Sequence, residues 1–101
     1  MKYSVVFSPE AQDQLSALFR YITDAASPDI ASSYTEAIVS YCEDIAMFPY
    51  GGTARDDVRS GLRVTIYKKR TVIAYAVIGQ VVSVIGVFYG GQDYETMLQT
   101  E

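Results

Sequence analysis

Val72-Ile73-Ala74-Tyr75-Ala76-Val77-Ile78-Gly79-Gln80-Val81-Val82-Ser83-Val84-Ile85-Gly86-Val87-Phe88-Tyr89 is the stretch that decides the fold. Two apolar, β-branched runs flank a two-residue break that begins with glycine. Gly-X between such runs is the chemistry of a primed hairpin turn, whose twist matches that of the flanking strands. The first run is almost wholly apolar, as expected of a central strand with helices on one side. Just upstream, Leu62, Val64 and Ile66 alternate with Arg63, Thr65 and Tyr67, the pattern of a strand with one buried face. Three consecutive strands in the back half make an antiparallel meander.

The front half has a different period. Ser8-Pro9-Glu10 is a helix start: a capping hydroxyl, a proline suited to the first helical position and an acid for the positive helix end. Ala11, Leu15, Leu18, Phe19 and Ile22 then form one apolar stripe over about four turns. Ser27-Pro28-Asp29 repeats the signal. Ile30, Tyr34, Ala37, Ile38, Tyr41, Ile45 and Phe48 share one side of the second helix, flanked by Val39 and Cys42. A connection as short as Asp24 to Ser27 forces an antiparallel helical hairpin. Phe48-Pro49 and Gly51-Gly52 end it. Tyr3 to Phe7 reads as a strand that joins the sheet, and Asp93 to Leu98 as a short terminal helix. The expected fold is α+β, one domain over residues 1–101 with order β-α-α-β-β-β. A helical hairpin covers one face of a largely antiparallel four-stranded sheet.

Composition narrows the chemistry. The chain has no histidine, which removes the usual imidazole base, Ser-His and Cys-His nucleophile pairs and the commonest zinc ligand. Cys42 is the only cysteine and reads as a small core residue. Asp56-Asp57, Glu43-Asp44 and the Asp93/Glu95 pair lack metal-loop spacing, so they read as solvated surface, with Asp56 and Asp57 near enough in sequence to pair with Arg55 and Arg59. No metal or cofactor is implied. The N-terminal residues show no signal-peptide core, and a cytoplasmic, soluble protein away from the membrane is the expectation.

Charge is unevenly distributed. Six of the eight basic residues, Arg55, Arg59, Arg63, Lys68, Lys69 and Arg70, fall between positions 55 and 70, against Asp56 and Asp57 only. The remainder of a chain of net charge -4 is strongly acidic. Any nucleic-acid contact must therefore be local to this patch. Two readings stay open: a contact face for an anionic partner, or a solvated strand and turn, since Lys68-Lys69-Arg70 lies where a polar turn is expected.

Several motifs in this order resemble the RelE/ParE superfamily of toxins from bacterial type II toxin–antitoxin pairs. They are Phe7-Ser8-Pro9-Glu10-Ala11, Tyr21-Ile22, Phe48-Pro49 with Gly51-Gly52, Gly61-Leu62-Arg63, Val72-Ile73-Ala74-Tyr75 and Val87-Phe88-Tyr89-Gly90-Gly91-Gln92-Asp93-Tyr94-Glu95. The resemblance runs nearly end to end and implies growth arrest, with neutralisation by a cognate antitoxin laid along the helical hairpin and at the sheet edge in a hetero-oligomer. The RelE branch cuts messenger RNA on the ribosome. For that activity Arg63, Lys68 and Arg70 would supply positive charge and Tyr94 the tyrosine, but the place of the late arginine reads Tyr89-Gly90-Gly91-Gln92, and no basic residue follows Arg70. The ParE branch poisons DNA gyrase without chemistry of its own. Gly61-Leu62-Arg63 looks closer to it, and charge clustering together with that analogy points to target contacts at Arg59, Arg63, Lys68, Lys69, Arg70 and Tyr89. A non-toxic relative serving only as a binding module is the remaining alternative.

Overall fold

A computed structural model describes residues 2–99. The order is β1 (Ser4–Phe7), α1 (Pro9–Ala25), α2 (Pro28–Asp44), a 3-10 turn (Ile45–Met47), β2 (Thr53–Ala54), β3 (Arg63–Tyr67), β4 (Thr71–Ile78), β5 (Val81–Tyr89) and α3 (Tyr94–Leu98). The sheet runs β1-β5-β4-β3-β2. The α+β architecture is as expected, with two differences of detail. The sheet has five strands, because Thr53 and Ala54 pair antiparallel with Val64 and Arg63. β1 joins in parallel, Ser4 opposite Val81 through Phe7 opposite Val84, while β2 to β5 are antiparallel.

Both helix starts work as the sequence indicates. Ser8 Oγ accepts from the Ala11 amide at 3.0 Å and Ser27 Oγ from the Ile30 amide at 3.2 Å, each with proline at the first helical position. Such a cap contributes about 1 kcal/mol. Gly79 supplies the left-handed residue of the β4–β5 hairpin, φ +61°, where a side chain would be strained.

The core has two parts, one on each face of the sheet. Beneath the helices, Leu18, Ile38, Cys42 and Ile45 pack on Ile73, Tyr75, Val82, Val84 and Val87. The tyrosines of α2 reach the sheet without losing their hydrogen bonds: Tyr34 Oη meets Thr71 Oγ1 at 3.1 Å and Tyr41 Oη meets Thr65 Oγ1 at 2.9 Å. Burial, with Glu43 beside it, pushes the Cys42 thiol up to about 12, so it acts as a small apolar core residue.

On the opposite face Val58, Leu62, Val64, Ala74, Phe88 and Leu98 cluster under the 55–62 segment and α3. Three expectations are corrected, the first by this second core. Leu62 and Val64 are buried away from the helices, whereas Thr65 and Tyr67 face them; Ile66, left uncovered, is 57% exposed. Ile30 sits in the first turn of α2 and is exposed, burial beginning at Ala31. Phe48 is 76% exposed because α2 stops at Asp44, and the tighter 3-10 turn rotates Phe48 off the helical stripe.

Candidate functional site

The six clustered cations do not form one face. Arg55 and Arg63 are spent on the fold. Arg55 donates to Asp57 Oδ1 and Oδ2 at 3.0 Å each, to Tyr94 Oη at 2.6 Å and to Glu95 Oε2. Hydrogen bonds to Asp57 and Glu95 hold the guanidinium well above its usual range, and the Arg55 guanidinium holds the Asp57 carboxyl below its own. The resulting tie fastens α3 and the 55–62 segment over the second core. The pairing of Arg55 with Asp57 is as expected; Asp56 instead accepts from the Gly61 amide at 2.8 Å.

Arg63 starts β3 on the side of Thr65 and Tyr67. Its Nη2 donates to the carbonyls of Tyr50 at 2.8 Å and Gly52 at 2.9 Å, with its guanidinium 5.4 Å from the Tyr50 ring. Those bonds hold the two-residue strand β2 against β3. Gly52 is required in the same clasp. Its amide donates to Tyr75 Oη at 3.0 Å, and a Cβ there would lie 2.8 Å from the Val64 carbonyl oxygen.

The other end of β3 is different. Lys68 and Lys69 both adopt left-handed backbone, φ 51° and 61°, in a turn closed by the Arg70 amide donating to the Tyr67 carbonyl at 3.1 Å. Each such residue costs about 1–2 kcal/mol relative to glycine. Lys68 Nζ lies 5.7 Å from the Tyr67 ring centroid. Lys68, Lys69 and Arg70 are exposed, and among the described residues none of them has a carboxylate partner. The Gly90 amide donates to the Arg70 carbonyl at 2.9 Å, which ties the tip to the end of β5. Tyr89 is half-buried there, its ring centroid 6.0 Å from that of Tyr21 and 5.9 Å from that of Tyr34. A trough of about 460 Å³ lies beside it, lined in part by Tyr21, Arg70, Tyr89 and Gln92.

Of the target-contact candidates, the fold thus brings together Lys68, Lys69, Arg70 and Tyr89. Arg63 is a β3 length away, about 16 Å at strand rise. Arg59 lines a separate hollow with Phe88, Met97 and Leu98. Tyr94 is on the second face, bound to Arg55 and 6.1 Å from the Phe88 ring. The nuclease quartet Arg63, Lys68, Arg70 and Tyr94 therefore does not converge on one phosphate.

Two features escape sequence reasoning. Leu15, Phe19 and Val39 line an open groove of about 650 Å³ on the outside of the helical hairpin, with Arg20 and Glu36 at its rim. Phe19 belongs to the α1 stripe by spacing but is not part of the buried core; a stripe wider than one sheet contact was the signal. The second is a set of side chains on α1 and after β5 that bond to the β5 edge.

The fold and these surfaces define a small two-layer α+β scaffold with a free cationic hairpin tip beside a tyrosine-lined strand edge. A family model described as the ParE toxin of type II toxin–antitoxin systems, parDE, matches residues 5–94, and the chain belongs to that family. A solved structure described as the chromosomal ParDE TA system from P. aeruginosa is similar in fold, with a TM-score of 0.77 at 16% identity, covering 87% of this chain and 96% of that chain. No curated protein matches the sequence significantly. No helix among the described residues is long and apolar enough to cross a membrane.

Proposed function

We propose that this chain is a toxin that arrests growth by binding DNA gyrase and blocking replication, and that a cognate antitoxin silences it in the cytoplasm. The observation that carries the reading is the Lys68-Lys69-Arg70 tip. It keeps two lysines in left-handed backbone, where Asn-Gly would relax the turn, and leaves three cations without a carboxylate partner among the described residues. Strain retained at an exposed, charged turn fits a contact site, here for an acidic surface of the target or for DNA it holds.

Action by binding rather than by catalysis is supported by the dispersal of the nuclease candidates. Metal-free RNA cleavage needs a base, an acid and charge stabilisation around one phosphate. Arg63 is committed to two carbonyls and Tyr94 to Arg55. The antitoxin is expected to lay the apolar face of an amphipathic helix into the groove at Leu15, Phe19 and Val39.

Pulse-labelling DNA and protein in the minutes after induction of this chain alone tests the proposal. DNA synthesis should fall first, with filamentous cells. A prior fall in protein synthesis would contradict it.

A further inference from the structure

The trough beside the cationic tip has a lining of one electrostatic kind. Arg70, Gln14 and Gln92 supply its polar groups, Tyr21 and Tyr89 its rings, and none of the described residues lining it is acidic. The two glutamines have a fixed polarity. Gln14 Oε1 accepts from the Val87 amide at 2.6 Å, and Gln92 Oε1 accepts from the Tyr89 amide at 3.1 Å. With each oxygen held by the backbone, what each side chain has left is its NH2, a donor without an acceptor among the described residues. Arg70 likewise has no carboxylate partner there. The polar side of the trough therefore calls for a ligand rich in acceptors and negative charge.

The rings add a second requirement. Tyr89 is held from behind by the Tyr34 ring, edge-on at 5.9 Å and 85°. Tyr21 stands 6.0 Å from Tyr89 at an inclination of 53° and is 60% exposed. Rings so close and so inclined leave no parallel slot between them, so a flat ligand would stack on Tyr21 from outside. At about 460 Å³ the trough falls within the range of about 300–1,000 Å³ that suits a small ligand.

We propose that the tip and trough hold an unpaired nucleotide of a DNA strand. Its flanking phosphates lie against Lys68, Lys69 and Arg70, its base stacks on Tyr21, and the acceptors of the base edge take the Gln14 and Gln92 NH2 groups. A carboxylate peptide would match the cations and leave the exposed ring unused. A duplex keeps its bases stacked on one another and would reach the cations alone. The inference rests on the gyrase reading for the source of the strand, DNA held open by the target.

The probe is a labelled, unstructured single-stranded DNA of about eight nucleotides, within the usual span of such sites, titrated with the whole chain and read by fluorescence anisotropy. Beside it stand a blunt duplex, an oligoglutamate of equal charge and the ribose counterpart of the strand. The single strand should bind at least tenfold more tightly than the duplex or the oligoglutamate. Its affinity should fall with salt at a log–log slope of about −2, as for three phosphates neutralised on a single strand. The Lys68→Gln, Lys69→Gln, Arg70→Gln variant should flatten that slope. Tyr21→Ala should weaken binding about tenfold, and Tyr21→Phe should keep it. Gln92→Glu retains an acceptor for the Tyr89 amide but replaces the donor with an anion, so binding should drop severalfold at an unchanged melting temperature; a purely structural glutamine would tolerate the change.

Equal affinity for the duplex, or Tyr21→Ala without effect, overturns the inference in favour of phosphate contact alone. Equal affinity for the oligoglutamate overturns it in favour of an acidic protein surface, and tenfold tighter binding of the ribose strand in favour of RNA. No binding of the single strand at millimolar protein overturns it outright. Growth plays no part in this readout. Arrest of DNA synthesis without strand binding sinks the inference and leaves the gyrase reading, whereas strand binding without arrest does the reverse.

Discussion

Arg55 and Arg63 on one side, and Lys68, Lys69 and Arg70 on the other, come from one basic stretch of sequence and have opposite roles. The first two meet acceptors within the fold: carboxylates and a phenol for Arg55, two carbonyls for Arg63. The last three stand at a turn where none pairs with a carboxylate among the described residues, and Lys68 and Lys69 carry left-handed backbone. Clustering in sequence thus did not separate the cations that the fold engages from those without a carboxylate partner among the described residues. A guanidinium with two planar acceptors belongs to the architecture; a cation on a strained, unpaired turn is available to a partner.

The difference can be broken from its tied end with the largest effects. Gly52→Ala drives a Cβ into Tyr75 Oη and the Val64 carbonyl, and unfolding in urea should show a loss of about 3 kcal/mol. Arg63→Ala abandons two carbonyls and should cost about 2 kcal/mol; Arg63→Lys should recover little, because an ammonium cannot reproduce the planar fork. A loss of growth arrest in these variants should follow their loss of fold.

The free end should behave with the opposite sign. Replacing Lys68-Lys69 with Asn-Gly removes the left-handed penalty and should raise stability by about 1 kcal/mol while weakening growth arrest. A rise in melting temperature with full toxicity would show that the tip is merely a turn.

Acid should separate the two ends by a smaller effect. The Asp57 carboxyl is lowered chiefly by its hydrogen bonds from Arg55, and Asp93 by Thr96. A lowered carboxyl stabilises the fold above its unfolded value, near pH 4, and that contribution is lost as pH falls through the folded value. Stability measured from pH 5 to 2 should therefore decline less in Asp57→Asn than in the parent, with the first exposure at the α3 cover and none specific to the tip.

The sequence carried most of the architecture because its signals were local. The Ser8-Pro9 and Ser27-Pro28 starts, the Gly79-Gln80 turn and the alternation from Leu62 onward need only short-range chemistry. β2 was not legible, since two residues become a strand only through Arg63 and Tyr75, distant in sequence. Alternation in β3 gave two faces but not what covers each, so the second core under α3 was missed. Phe48 went astray because a change from α to 3-10 winding leaves no mark in a stripe of apolar residues. At the site, Lys68, Lys69, Arg70 and Tyr89 were legible as charge and aromatics, whereas the engagement of Arg63 depends on carbonyls that no composition reveals.

The most direct test is a Lys68→Gln, Lys69→Gln, Arg70→Gln variant, with its melting temperature and the rate of DNA synthesis measured after induction. The expected result is a stability, read from the melting temperature, within about 0.5 kcal/mol of the parent, as for exposed sites, and continued DNA synthesis. Arrest of DNA synthesis by that folded variant would contradict it.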